Sequence, residues 1–180
     1  MFYYNGNNFK IQKCVELANT LVRNEESIYT VVKNKSFDMS TATGKHIAQQ
    51  LKDSLVNEKT IEIVIYKPFY RWSKALGYFD RTQPNKIFLN YYRLNRAPSS
   101  IVATIIHEWV HFVDGNDDQH SFGHGDNNRL GKENTAPYFI GNLASKLISG
   151  NSNYNNTENQ AIKTYTPFYK KVFRFFKRIF

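Results

Sequence analysis

An α+β fold is the class that this sequence predicts, and three features of the chain indicate it. Residues 8–24 and the stretch after Ser40-Thr41 carry apolar side chains at helical spacing. Short runs rich in β-branched and aromatic residues then predict strands. A long apolar helix follows these strands. Helices followed by a small mixed sheet and further helices are typical of an α+β domain.

The first predicted helix is amphipathic, and its apolar stripe includes the only cysteine of the chain. The stripe consists of Ile11, Cys14, Val15, Ala18, Leu21 and Val22. One cysteine excludes an intramolecular disulfide, and no activating base lies near Cys14 in the sequence. We therefore interpret Cys14 as a core residue rather than a catalytic thiol. The second predicted helix has its apolar positions at Ile47, Ala48, Leu51 and Leu55.

The sheet is predicted from segments between residues 61 and 90. Residues 61–66 form the first β-branched run, and residues 86–90 form a second one after the turn-like segment 81–85. The aromatic segment 70–79 between them is a candidate for a further strand. These strands come directly before the long apolar helix.

That helix is predicted to begin at Pro98-Ser99-Ser100 and to be apolar on nearly every face. Its apolar residues are Ile101, Val102, Ile105, Ile106, Trp109, Val110 and Phe112. It also contains His107, Glu108 and His111. Unpaired polar groups are costly in a protein core, so these three residues are expected to pair with one another or to bind a ligand.

The spacing of His107 and His111 predicts a shared metal ion. Residues four apart lie on the same face of a helix, and Glu108 is placed to reach a water bound to that metal, as in zinc hydrolases. The alternative is a hydrogen-bonded histidine pair in a core helix. A catalytic zinc typically has three protein ligands and one water, so a third ligand is needed.

The third ligand is sought in the polar, glycine-rich segment 114–128 and just beyond it. His124 is the first choice, because the flanking Gly123 and Gly125 allow a sharp turn toward the metal and because imidazole suits zinc. Glu133 is the second choice, as a carboxylate supplied from a later helix. The other candidates are His120, Asp114, Asp117 and Asp118.

The segment from Lys86 to Gly125 resembles the core of the zincin metallopeptidases, in which a strand, a loop and an HExxH helix lead to a third ligand. It is most similar to SprT-like proteins, whose third ligand is a histidine followed by glycine, here His124-Gly125. It also resembles zincin-like proteins of phages and bacteria that carry a Pro-Tyr-x-Ile-Gly stretch, here Pro137 to Gly141. The metzincin spacing does not match, because it would place the third ligand at Asp117.

The resemblance implies a zinc-dependent metallopeptidase that acts on a protein or peptide substrate. Glu108 is then the general base for an attacking water, and Tyr138 is the candidate donor to the oxyanion, with His120 as the alternative. Asp114 is expected either to orient a ligand imidazole or to bind solvent at the helix end. In related zincins the substrate pairs with an edge strand, which the resemblance assigns here to residues 86–90.

The remaining part of the chain is predicted to divide into a domain and a C-terminal extension at Gly150. A helix is predicted from Thr135-Ala136-Pro137 to Gly150, which ends a metallopeptidase domain spanning residues 1–150. Residues 151–166 form a polar, asparagine-rich linker. Residues 167–180 form a basic amphipathic helix with an aromatic face.

The net charge of +9 suggests a second function class, a module that binds an anionic membrane or nucleic acid and keeps a structural or degenerate metal site. Five basic residues fall in the last eleven positions, which concentrates the charge in the terminal helix. A DNA-associated protease would join the two functions. No signal peptide or membrane span is evident, so the cytoplasm is the expected location, with non-classical secretion as the alternative.

Overall fold

The computed structural model describes residues 1–24, 28–56, 59–124 and 131–150, and these form an α+β fold. Five α-helices and a mixed four-stranded sheet make up the described part of the chain, so the predicted class is confirmed. None of these helices is long and apolar enough to cross a membrane. The predicted linker 151–166 and basic helix 167–180 lie outside the described residues and remain predictions.

The sheet consists of Phe2–Tyr3 (β1), Ile61–Tyr66 (β2), Gly77–Phe79 (β3) and Lys86–Asn90 (β4), in the order β1-β2-β4-β3. β1, β2 and β4 run parallel, whereas β3 pairs antiparallel with β4. β4 therefore has a strand on each side. The expectation that residues 86–90 are the edge strand is wrong, because β3 occupies that edge.

Two of the N-terminal helices match those predicted. They are α1 (Phe9–Arg23) and α3 (Gly44–Val56), and the short helix α2 (Ile28–Lys33), which we did not predict, lies between them in the chain. Cys14 of α1 is fully buried, and burial raises the pKa of its thiol to about 11. A thiol in that state is not a nucleophile, so its interpretation as a core residue is confirmed.

The motif helix, α4 (Pro98–Asp114), contacts the sheet and α1 as well as the later helix α5 (Ala136–Ser149). Pro98 occupies the first turn, where its missing N–H has no helical partner to lose. Trp109 is 1% exposed and packs edge-to-face on Phe2 of β1, with ring centroids 6.0 Å apart. Burial on nearly every face explains why the sequence of α4 is apolar almost throughout.

The contact between α4 and α5 is closest at Gly141. A Cβ added there would lie 2.8 Å from the Ala103 carbonyl oxygen and 3.1 Å from the Cβ of His107. α5 ends as predicted at Gly150, whose φ of 74° is in the left-handed region that favours glycine. The two helices therefore meet directly beside the first histidine of the motif.

Candidate metal centre

Three imidazole rings converge near the C-terminal end of α4. His107 and His111 lie one helical turn apart with ring centroids separated by 4.9 Å. The ring of His124, from the segment after α4, lies 5.3 Å from that of His107 and 4.6 Å from that of His111. One possible ligand atom from each ring lies within 4.8 Å of the other two. A single cation could therefore contact all three.

The two histidines of α4 are held in the neutral form, which is the form that binds metals. Burial, with the neighbouring His111 and His124, lowers the pKa of His107 to about 3. Burial, with His124 and Arg81, lowers the pKa of His111 to about 4. His107 also donates a ring N–H to the carbonyl of Pro137, which leaves the lone pair of its other nitrogen available.

The segment that carries His124 is anchored to two parts of the fold. Asp114, at the end of α4, accepts a hydrogen bond from the backbone N–H of the fully buried Phe122 at 2.7 Å. The Thr41 N–H donates to the Ser121 carbonyl at 2.9 Å, and the Ser121 N–H donates to the Thr41 hydroxyl at 2.8 Å. These contacts hold the segment against both α4 and the turn that precedes α3.

Gly123, immediately before His124, is required by both conformation and space. Its φ of 74° lies in the left-handed region, and a Cβ there would lie 2.6 Å from backbone atoms of Met39. The chain therefore makes the sharp turn at Gly123 that the sequence suggested. The second flanking glycine, Gly125, lies outside the described residues.

Glu108 follows His107 on α4 and is buried toward the edge strand β3. Its side chain accepts a hydrogen bond from the backbone N–H of Phe79. Burial raises the pKa of Glu108 to about 8, although the Phe79 hydrogen bond opposes that shift. α4 thus places a carboxyl group at the sheet edge and two imidazoles on the adjoining part of its surface.

Tyr138, the predicted oxyanion donor, contacts two of the three histidines. Its ring centroid lies 4.6 Å from that of His107 and 4.9 Å from that of His124, and it stacks on His124 with 18° between the planes. α5 begins just before Tyr138, so the first turn of α5 covers this side of the site. Its part in a reaction remains a prediction.

The two exposed acidic candidates for the third ligand lie apart from these rings. Glu133 and Asp118 are exposed, and neither joins a possible metal-binding group in the part of the chain that the structure describes. His124 is the candidate that the structure brings to the histidines of α4.

The other three candidates have different neighbours. Asp114 accepts a hydrogen bond from the Phe122 backbone N–H, so it anchors the segment that carries His124, and it also interacts electrostatically with the His124 ring. Asp117 and His120 come together with His46 of α3 in a separate group of possible ligands. His46 was not among the predicted site residues, because it lies far from the motif in the sequence.

Two backbone features of the site were also missed. The Pro137 carbonyl orients His107, and Gly141 allows α5 to approach the same residue. Both belong to the Pro-Tyr-x-Ile-Gly stretch noted in the sequence, whose proline carbonyl accepts a hydrogen bond from His107 and whose glycine lies close to the same residue. That stretch packs against His107, the first histidine of the motif, with Tyr138 between its two ends.

The donor set fits a divalent transition metal. Imidazole nitrogen suits zinc, copper, iron and nickel, whereas magnesium and calcium prefer oxygen ligands. Three imidazole ligands also leave a coordination position for water or substrate. The histidine group could therefore hold such an ion without any further protein ligand.

Comparisons with models of protein families, with curated proteins and with solved structures found no match for this chain. Its function is therefore inferred from its own residues and their geometry.

Proposed function

We propose that the protein is a zinc-dependent peptidase of the zincin type. The observation that carries the proposal is one buried carboxyl group, on Glu108, next to a histidine ligand and at the edge of a sheet. His107, His111 and His124 would hold the zinc. Structural zinc sites usually have four protein ligands, whereas three leave the open position that catalysis needs.

The chemistry divides between the ion and Glu108. Zinc, when bound, acts as a Lewis acid and lowers the pKa of a water molecule to about 7. Glu108 takes the proton from the attacking water and passes it to the leaving amine. It must be ionised to do so, and a nearby cation favours the ionised form against the burial that raises its pKa to about 8 in the metal-free protein.

The substrate backbone would bind along the outer edge of β3. The Asn90 N–H donates to the Leu76 carbonyl at 3.1 Å, so alternate residues from 76 onward face β4. Gly77 and Phe79 then direct their backbone groups to the other side, where the Phe79 N–H meets the carboxylate of Glu108. An extended peptide added at this edge would pass close to that carboxylate. Main-chain pairing of this kind favours extended or unfolded substrates of varied sequence.

Tyr138 is the proposed donor to the oxyanion that forms at the scissile carbonyl. Its ring is held between His107 and His124, at the side of the site formed by α5. Removal of one oxyanion donor typically lowers kcat by about 10²–10³-fold. Tyr138→Phe keeps the ring packing and removes only the hydroxyl, so it isolates this role.

The test is hydrolysis of an unfolded protein and of a peptide library by the zinc-loaded chain. Glu108→Gln keeps the shape of the side chain and an oxygen for the Phe79 N–H, so it should retain zinc and lower kcat by about 10²–10⁴-fold. Glu133→Gln is the matched control, because it removes an exposed carboxylate outside the histidine group. Equal hydrolysis by wild type and Glu108→Gln would contradict the proposal.

A second candidate is a module that binds an anionic membrane or nucleic acid. The observation in its favour is the basic terminal segment, where five positive residues lie among apolar aromatic ones. Binding that persists after zinc removal and in Glu108→Gln would support this function. This binding function is compatible with peptidase activity, because a peptidase could use the same segment to attach to a membrane or to nucleic acid.

A further inference from the structure

A second group of possible metal ligands joins α3 to the segment after α4. It consists of His46, Asp117 and His120, and one ligand atom of each lies within 4.8 Å of the other two. The rings of His46 and His120 have centroids 4.3 Å apart. The chain has five histidines, and this group uses the two that the group around α4 leaves over.

Asp117 is at the centre of the group and is firmly oriented. One carboxylate oxygen, Oδ2, lies 2.6 Å from Nε2 of His46. The other, Oδ1, accepts hydrogen bonds from the backbone N–H groups of Gln119 at 3.0 Å and His120 at 3.1 Å. The Asp117 side chain is only 6% exposed. Its two oxygens therefore face the two histidine rings with little freedom to turn away.

His120 supplies an independent sign of a missing partner. Its Nδ1 is buried and makes no hydrogen bond of ordinary geometry among the described residues, since its contact with Asp117 Oδ1, at 3.4 Å, is long for a hydrogen bond to a carboxylate. A buried ring nitrogen with only so long a contact is poorly satisfied, and such groups in proteins usually contact a water or an ion as well. The nitrogen lies on the side of the ring that faces Asp117.

We propose that His46, Asp117 and His120 bind a second divalent transition metal, with zinc as the favoured ion. Two imidazoles and one carboxylate are a known ligand set for zinc with an open position for water. Ligand atoms about 2.0–2.1 Å from zinc lie about 3.3 Å apart in tetrahedral geometry, and the His120–Asp117 separation of 3.4 Å matches this. The His46–Asp117 contact of 2.6 Å would have to lengthen by about 0.7 Å to reach that separation. Both histidines are about one-third exposed, so water can reach the ion.

The second site has a structural role that follows from its position. Asp117 and His120 lie between His111, at the end of α4, and His124, the proposed third ligand of the first site. An ion bound there would fasten this segment to α3 through His46. The site does not depend on peptidase activity, so it can be tested even if the protein hydrolyses nothing.

The test counts zinc retained after gel filtration of the zinc-loaded full chain. Wild type is expected to keep two equivalents, and the double variant His107→Ala/His124→Ala is expected to keep one. His46→Gln and His120→Gln should each lose one equivalent relative to wild type. Glutamine preserves hydrogen-bonding capacity toward Asp117, so packing in the segment is retained. Asp118→Asn, an exposed acid in the same segment, is the matched control and should keep both.

One equivalent in wild type that His46→Gln and His120→Gln both retain would overturn the second site, because the first site would account for it. Two equivalents that His46→Gln and His120→Gln both retain would also overturn the assignment. Visible absorption of cobalt bound to His107→Ala/His124→Ala gives a further readout, since it reports the geometry of the second site alone. Failure of the peptidase test leaves these counts unchanged, so the two proposals are separable.

Discussion

Glu108 is subject to two opposing demands. Burial favours the protonated form and raises the pKa of Glu108 to about 8 in the metal-free protein, although the Phe79 N–H opposes that shift. A general base has to be ionised at the moment it accepts a proton. Zinc at the adjacent histidines would reconcile the two demands, because a divalent cation favours the carboxylate. Under the proposed function, this tuning of the pKa would let Glu108 act as a base only in the metal-bound state.

This tuning predicts a pH-dependent difference in stability between metal-free wild type and Glu108→Gln. The folded state keeps the Glu108 proton up to about pH 8, whereas the unfolded chain loses it near the ordinary value of 4.5. Within that window the folded state binds more protons, so the Glu108 contribution to the free energy of unfolding falls as pH rises. Glutamine has no such proton. The variant should therefore gain stability relative to wild type as pH rises through the window, by at most about 1.4 kcal/mol per pH unit.

Urea unfolding at a series of pH values, with a chelator present, measures this difference. His107 and His111 act in the opposite direction, since the unfolded chain protonates them below their ordinary pKa of 6.5 while the folded state does not. Their effect is common to both proteins and cancels in the comparison. Stability curves that stay parallel from pH 4.5 to 8 would show that Glu108 is ionised in the metal-free fold.

The residues of the site differ in how far the sequence could predict them. His107, Glu108 and His111 follow from local helical spacing, which is visible in a single sequence. His124 was one of six candidates, because its placement depends on contacts such as that between Ser121 and Thr41, which lie 80 residues apart. Such long-range docking has no local signature beyond the glycine at 123.

At the level of secondary-structure elements, the contact between α4 and α5 supports His107, the first of the proposed metal ligands. A methyl group at Gly141 would meet the Ala103 carbonyl oxygen at 2.8 Å and the Cβ of His107 at 3.1 Å. α5 would have to move away and take with it the Pro137 carbonyl, which orients His107. Loss of such an outer contact typically lowers metal affinity by about 10–100-fold.

Gly141→Ala is therefore expected to weaken zinc binding by about 10-fold or more and to lower the Tm. Zinc affinity measured by competition with a chromophoric chelator gives the first quantity, and thermal unfolding gives the second. Ser145→Ala, a small change at a partly exposed position on the same helix, is the control and should leave both nearly unchanged. Wild-type zinc affinity in Gly141→Ala would mean that α5 does not position the ligand.

Elements with long periodic patterns were predictable, and short ones were not. α1, α3, α4 and α5 each repeat an apolar face over several turns. α2 has six residues and β1 has two, which is too short for a periodic signal. The prediction that β4 lies at the sheet edge was wrong, although its own sequence indicates an internal strand. The continuous run Ile87-Phe88-Leu89 is buried throughout, as expected for an internal strand rather than an edge.

At the scale of the whole molecule, the uneven distribution of charge predicts where polyanions bind. Replacing the terminal basic residues with glutamine in the full chain should weaken binding to anionic vesicles and to DNA, and it should leave peptide hydrolysis unchanged. The residues to replace are Lys170, Lys171, Arg174, Lys177 and Arg178. Vesicle co-sedimentation and DNA binding at two salt concentrations measure the effect.

The control variant loses the same five positive charges, but at exposed positions elsewhere in the chain. Suitable positions are Arg23, Lys33, Lys45, Lys67 and Lys74. If both variants weaken binding equally, net charge alone is responsible and the terminal segment has no special role.

A zinc centre made of three histidines is tested by the zinc content of wild type beside four single alanine variants, at His107, His111, His124 and Glu133. The three histidine variants are each expected to hold one equivalent less than wild type, whereas Glu133→Ala should hold the same amount, since it is exposed and outside the group. Full zinc content in His124→Ala, or a wild type that takes up no zinc, would contradict a three-histidine zinc centre in this protein.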